Sequence, residues 1–387
     1  MRTHTGKSMR EETASGSGRP QEITDWDRET YRRLVSGELT EEQRRRIVEP
    51  DVVLPRQSDV LAVHWHPEFV PMDLIRQRID AMFPNRSCDL IIPTQHNVLM
   101  EYGAFAGVEV DCYSAEFDRK VQLLVHFARS RLEKAGIFLS MLAYTFKYRS
   151  RQLLEFIESI TEHSLEARLQ KAAAETGADD RLVRFVRVHT EKLKRLLFEH
   201  EEETPPEAIR NKLLMDYFEA LRAHYDDNLI NHAEMLLRAV KVIVKRHFCN
   251  DFFYPTEAVI EEVRGLGGTI VVPHPEQFWP ILLAEYDVDG YEVWNPQSQQ
   301  YTQFLITVVT RQNRTAGRSR KETLILMGDD CHMGEKVKDP KYRDPEKAGR
   351  EIGVQPAWDD LAIRKSLIVA NADRRSVIER YKVRLET

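Results

Sequence analysis

The sequence predicts an α/β protein: a distorted barrel of about seven or eight β/α units, interrupted by a large helical insertion. Three observations predict it. Short apolar runs of strand length recur and end in histidine or a carboxylate, first Val60-Leu61-Ala62-Val63 before His64-Trp65-His66 and last Leu324-Ile325-Leu326-Met327 before Asp330-Cys331-His332. From about residue 127 to 250 that pattern gives way to apolar residues at helical spacing, as in Leu153, Phe156, Ile157 and Ile160. Strand-then-ligand text resumes at Gly267-Gly268-Thr269.

The elements follow in order. Met1 to Gln21 is rich in Gly, Ser, Thr and charge, which predicts a disordered tail through about residue 23 or a misassigned start. Thr5-Gly6-Lys7-Ser8 ends like a phosphate-binding loop but lacks the upstream glycine and strand, so it is assigned no function. Residues 24–49 read as one or two short helices broken at Gly37, with Thr40-Glu41-Glu42-Gln43 as a capping box. Alternation of strand and helix begins near Asp59, with a helix over Met72–Phe83. Leu90-Ile91-Ile92 leads through Pro93-Thr94-Gln95 to His96, and Val108-Glu109-Val110 carries a carboxylate inside an apolar stretch. Val121 to Val125 runs into His126, and Thr269 to Pro273 into His274. Trp358 to Leu385 reads as one or two helices packing back on the barrel. The expected partition is therefore N-terminal helices and half a barrel over 24–126, the insertion over 127–250, and the second half with C-terminal helices over 251–387.

Composition narrows the function. The chain has 387 residues and a formal charge of −6, enough for a sizeable core and too mild for whole-protein attraction to nucleic acid, although a local patch stays open. No run of 18 apolar residues occurs, and the N-terminus lacks the apolar core of a secretory signal, so a cytoplasmic enzyme with no membrane partner is expected. Cys88, Cys112, Cys249 and Cys331 are too widely spaced for a disulfide framework or a zinc ribbon.

The histidines carry the chemistry. Of 13, His64, His66, His96, His126, His274 and His332 stand at ends of strand-like runs. Side chains alternate along a strand, so His64 and His66 point one way, as do Asp330 and His332, while Cys331 points away. Residues sharing a direction at a strand end can share a metal ion. A donor set of imidazoles and carboxylates suits zinc, manganese or iron. In the insertion, Leu182, Phe185, Val186, His189, Leu193 and Leu196 form an apolar stripe. Arg181, Arg184, Arg187, Lys194 and Arg195 lie largely off it, either as a basic face for a phosphorylated substrate or as a solvated helix face. The acidic run from Glu199 to Glu203 favours the solvated face. Trp65, Trp279 and Trp294, near strand ends, are either pocket lining or core.

The ordered set resembles the PHP (polymerase and histidinol phosphatase) superfamily. The residues that carry the likeness are His64-Trp65-His66, Thr94-Gln95-His96-Asn97, Gly107-Val108-Glu109, His126, Val272-Pro273-His274-Pro275, Asp289-Gly290-Tyr291-Glu292-Val293-Trp294-Asn295 and Gly328-Asp329-Asp330-Cys331-His332. They cover about residues 59–126 and 255–335. The resemblance implies a TIM-like barrel of PHP type and a phosphoesterase using a di- or trinuclear cluster of divalent ions and metal-bound hydroxide. Glu109 is then the bridging carboxylate and Asp330 a ligand that orients the nucleophile, with His274 also catalytic. Two departures stand out. No Ser-Asp-Gly or further histidine follows the first motif, which leaves Glu68 and Asp73 as the nearest carboxylates; Glu68 is close enough to the strand end to act as a ligand. Gln95 stands where an acid is usual and Asp329 where a serine is, so two ions or three are open. The implied substrate is a small phosphorylated molecule or a nucleic acid end, the latter making the chain a nuclease. Two rivals are an amidohydrolase-type C–N hydrolase and a catalytically weak scaffold that meets a protein partner through its helical insertion.

Overall fold

The computed structural model describes residues 22–284, 286–315, 321–340 and 343–387, so Met1 to Gln21 of the expected disordered tail, with Thr5 to Ser8, lie outside the described residues, whereas Ile23 packs against the helical core. The chain divides into two units. One comprises the residues up to Ser36 together with Arg149–Phe248, and the other comprises Gly37–Tyr148 and Cys249–Thr387.

The first unit is helical. Leu153, Phe156, Ile157 and Ile160 are buried as their spacing predicts, against Val186, Leu193 and Leu196 of the helix Asp180–Glu199 and Leu236, Leu237 and Val240 of the helix Asp227–His247. The helix Asp25–Val35 belongs here and not with the barrel half to which the sequence partition gives it. Two contacts hold it: Tyr31 is buried in the same core, and Asp27 accepts from Lys192 Nζ at 2.9 Å and from Tyr217 Oη at 2.8 Å. Of the basic residues off the stripe, Arg187 pairs with Glu166, and Lys194 with Glu162 at 2.5 Å.

The second unit carries the strands β1 (Asp59–Ala62), β2 (Trp65–His66), β3 (Cys88–Ile91), β4 (Met100–Tyr102), β5 (Phe105–Ser114), β6 (Arg119–Ala128), β7 (Thr269–Val272), β8 (Gly290–Trp294), β9 (Leu324–Met327) and β10 (Cys331–His332). Six of them form one sheet in the order β4-β5-β6-β7-β8-β9, while β1 pairs with β3 and β2 with β10, both in parallel. Pairing is parallel from β7 to β9 but antiparallel from β4 through β7, where β/α alternation predicts parallel strands. The reason is local. Four residues, 115–118, join β5 to β6, and a parallel neighbour needs a crossover of a dozen or more. The helix Gly136–Phe146 also lies in this unit, so the second unit extends beyond residue 127.

Period-two alternation places β1 between two apolar layers. Leu61 and Val63 face a core with Leu90, Val108 and Leu123, while Val60 and Ala62 face another with Ile75, Ile79 and Phe83. The capping box at Thr40 forms as the sequence predicts, and the helix Met72–Met82 ends within a residue of expectation. Trp65 and Trp294 are core; Trp279 is partly exposed. Among the described residues no helix is long and apolar enough to cross a membrane.

Candidate metal centre

The candidate side chains come from strands and the bends or loops that follow them. His66 lies on β2 and Glu109 on β5, whereas His64, His274 and Asp330 occupy the bends just past β1, β7 and β9. Short backbone bonds tie those ends together: Asp330 N to His64 O at 2.9 Å, Thr94 N to Trp65 O at 2.8 Å, and Asn97 N to Glu109 O at 2.8 Å. Four non-glycine residues at this rim, Glu68, Asn97, His274 and Asp330, have positive φ values of 53°, 54°, 27° and 45°. Such backbone costs on the order of 1–3 kcal/mol per residue and persists where the surroundings over-determine it.

Three groups of ligand atoms converge, each within 4.8 Å: His64 with Glu109 and His274, His64 with His66 and Asp330, and His66 with His96 and Glu109. The contacts between them are close. His96 Nδ1 is 2.9 Å from Glu109 Oε2, His66 Nε2 is 3.5 Å from the same oxygen, and Asp330 Oδ1 is 3.4 Å from His66 Nε2 and 3.7 Å from His64 Nε2. His332 stacks on His66 with ring centroids 4.3 Å apart, and its Nε2 is 3.4 Å from Asp330 Oδ1. Glu68 lies behind it, Oε1 being 3.9 Å from His332 Nδ1. His332 and Glu68 border the three groups without belonging to them.

His126 is placed elsewhere. Its Nε2 donates to Val63 O at 3.0 Å, and its Nδ1 accepts from Tyr381 Oη at 2.7 Å, so both ring nitrogens are occupied by protein. Burial, outweighing the bond to Val63 and the Asp289 charge, pushes this imidazole down to about 3. Cys331 faces away from the cluster, as strand alternation predicts, with Sγ 3.3 Å from Arg350 O.

Three residues outside the sequence-derived set hold the ligands. Glu292 Oε1 is 2.7 Å from His64 Nδ1, and its Oε2 accepts from the backbone N–H of His274 at 2.8 Å. A Cβ on Gly328 would meet Glu292 Oε1 at 1.4 Å, so glycine is required at that approach. Asp330 Oδ2 accepts from Arg350 Nη1 at 2.7 Å and Gln297 Nε2 at 2.5 Å, which turns Oδ1 toward the imidazoles. Glu292 gives the same signal as Glu109, a carboxylate inside an apolar strand; Arg350 and Gln297 give none.

The electrostatics ask for cations. Burial opposes charge on His64, yet the carboxylates of Glu292, Asp330 and Glu109 overcome it and push the imidazole up to about 10. His332 is likewise raised, to about 9, against burial and by Asp330 and Glu68. Burial would raise the Glu109 and Asp330 carboxyls, but the surrounding imidazoles hold both well below the usual range. His66 is pushed down to about 3 by burial and by His332, which leaves a neutral ring. Metal ligands must be deprotonated, and a divalent ion can replace the protons that these carboxylates otherwise gather on His64 and His332. His64 Nε2 is buried without a hydrogen-bond partner, its contact with Asp330 Oδ1 being 3.7 Å. Buried polar atoms are nearly always satisfied, so an orphaned ring nitrogen inside two ligand groups fits a bound cation. The residues present can hold metal.

No protein-family model matches the chain, and no curated protein matches it either. Among solved structures, the chain is similar to a candidate metal-dependent phosphoesterase from Bifidobacterium adolescentis at 15% identity, over 81% of this chain and 97% of that one, with a TM-score of 0.38.

Proposed function

We propose that the protein is a metal-dependent phosphoesterase whose cluster is held by His64, His66, His96, Glu109, His274 and Asp330, with His332 at its edge. The observation that carries the reading is the overlap of the three ligand groups. His64, His66 and Glu109 each serve in two of them, so ions in neighbouring groups would lie side by side. When bound, paired divalent ions supply a water activated near neutral pH and neutralise charge on a phosphoryl group. The protein's own part is positioning. Glu292 orients His64 through Nδ1 and leaves Nε2 for the centre, while Arg350 and Gln297 fix Asp330 so that only Oδ1 faces inward. Near-complete burial of His64, His66 and Glu109 keeps bulk water from competing. Zinc, manganese or iron match the donor types, and a small phosphomonoester or a nucleic acid end matches the chemistry.

A distorted barrel is the architecture this reading favours. Its support is the set of contacts that link the separate sheets: Asp330 N to His64 O at 2.9 Å and the parallel bridge between His96 and Glu109.

The test is metal content by elemental analysis on protein never exposed to chelator, alongside hydrolysis of a chromogenic phosphoester. About two ions per chain are expected, with activity lost on chelation and regained on adding metal. Less than about one ion per chain would overturn the reading. Glu109→Ala should lower the rate by orders of magnitude while the fold survives; an unaltered rate would show that the mechanism is wrong.

A further inference from the structure

Of the ligands in the three groups, His96 is the one least supported by regular structure. It lies between β3 and β4, and its side chain is 25% exposed, against 7% or less for His64, His66, Glu109, His274 and Asp330. A ligand in such a loop needs an anchor. The next residue supplies three bonds to β5: Asn97 N donates to Glu109 O at 2.8 Å, Asn97 Oδ1 accepts from Asp111 N at 2.9 Å, and Asn97 Nδ2 donates to Asp111 Oδ2 at 2.7 Å. Both Asn97 and Asp111 are buried. The other carboxylate oxygen of Asp111 accepts from Lys120 Nζ at 2.6 Å and from Gln122 Nε2 at 3.1 Å. Lys120 is itself held over the rings of Tyr148 and Phe253, at 5.1 and 5.4 Å from their centroids. Asp111 stands two residues after Glu109 on the same face of β5, so one strand presents both the ligand and the anchor.

We propose that Asn97 and Asp111 are positioning residues that present His96 to the centre, so that removing either one costs the ion held by His66, His96 and Glu109 and spares the group of His64, His66 and Asp330. The inference rests on the metal reading above. Asn97 suits the role because asparagine tolerates left-handed backbone, here φ 54°, and its amide reaches both the N–H and the carboxylate of Asp111.

The experiment is metal titration of chelator-stripped full-length protein with zinc, read by elemental analysis and by competition with a chromophoric chelator. Asn97→Gly keeps the backbone conformation and removes the side chain; Asp111→Ala removes the acceptor. Each should bind one ion fewer per chain, or bind it about 10–100-fold more weakly, as outer-shell partners generally do. His96→Ala should show the same loss, and the His96→Ala/Asn97→Gly pair no further loss. Asp111→Asn, which keeps an acceptor for Asn97 Nδ2, should bind closer to the wild type than Asp111→Ala. Asn97→Gly decides the matter if Asp111→Ala fails to fold. Wild-type stoichiometry and affinity in Asn97→Gly overturn the inference alone. A wild-type protein that takes up no zinc overturns the metal reading and this inference with it.

Discussion

Glu292 holds two ligands at once, His64 through its ring and His274 through its backbone N–H. Glu292→Gln retains the size but weakens the charge-assisted bond to His64, so metal affinity should fall about 10–100-fold, as read by chelator competition. Unchanged affinity would remove Glu292 from the account. His126 supports a different prediction. The unfolded imidazole takes a proton below about pH 6.5, whereas the folded one stays neutral down to about 3. Its contribution is therefore complete above 6.5 and is lost as pH falls toward 3, by about 1.4 kcal/mol per pH unit. Urea midpoints between pH 7 and 5 should fall less steeply in His126→Gln than in the wild type; parallel slopes would contradict the assignment. These two residues also mark what sequence could and could not tell. Glu292 sits in Tyr291-Glu292-Val293 just as Glu109 sits in Val108-Glu109-Val110, so its cue was present. His126 looks like its fellow strand-end histidines, because the partners that occupy it, Val63 and Tyr381, lie 63 and 255 residues away.

Among elements, the end of β9 is the most constrained. A methyl group on Gly328 would fall on Glu292 Oε1 and at 3.0 Å from His64 Nδ1, so Gly328→Ala must displace the carboxylate. Metal affinity should drop at least as far as in Glu292→Gln, with thermal stability of the chelated protein lowered by about 1–3 kcal/mol. Retained affinity would mean that β9 can shift without cost. The strands bearing ligands were legible because an apolar run and its terminal histidine are neighbours in sequence. The hairpin of β5 and β6 was not. Its turn, Ala115-Glu116-Phe117-Asp118, lacks the Asn-Gly or Asp-Gly dipeptide that announces a hairpin, and Asp118 takes the left-handed conformation instead. Most of the apolar stripe of Asp180–Glu199 was legible: Val186, His189, Leu193 and Leu196 are buried at helical spacing, while Leu182 and Phe185 are partly buried against the same core.

At the scale of the whole molecule, each unit has its own core, and a mutation can be aimed at one of them. Asp27→Ala leaves Lys192 buried without its carboxylate, which should destabilise the helical unit by about 3–5 kcal/mol. Metal content should stay at the wild-type level. A lowered thermal transition with full metal occupancy is the expected pair of readings, and loss of metal would show that the units are coupled. The membership of the helix Asp25–Val35 was invisible in sequence, since nothing near Asp27 names Lys192 or Tyr217 as its partners. The pairing of β2 with β10 carries a consequence for the order of events in synthesis. His64, His66, His96 and Glu109 leave the ribosome at least 221 residues ahead of Asp330, an interval on the order of 10–40 s at ordinary translation rates. During that time the nascent chain displays an incomplete set of imidazoles, which copper and zinc favour over manganese or iron. If the centre holds metal, Asp330 would join it only when β10 pairs with β2, so the supply of metal at chain release would bear on which ion is kept.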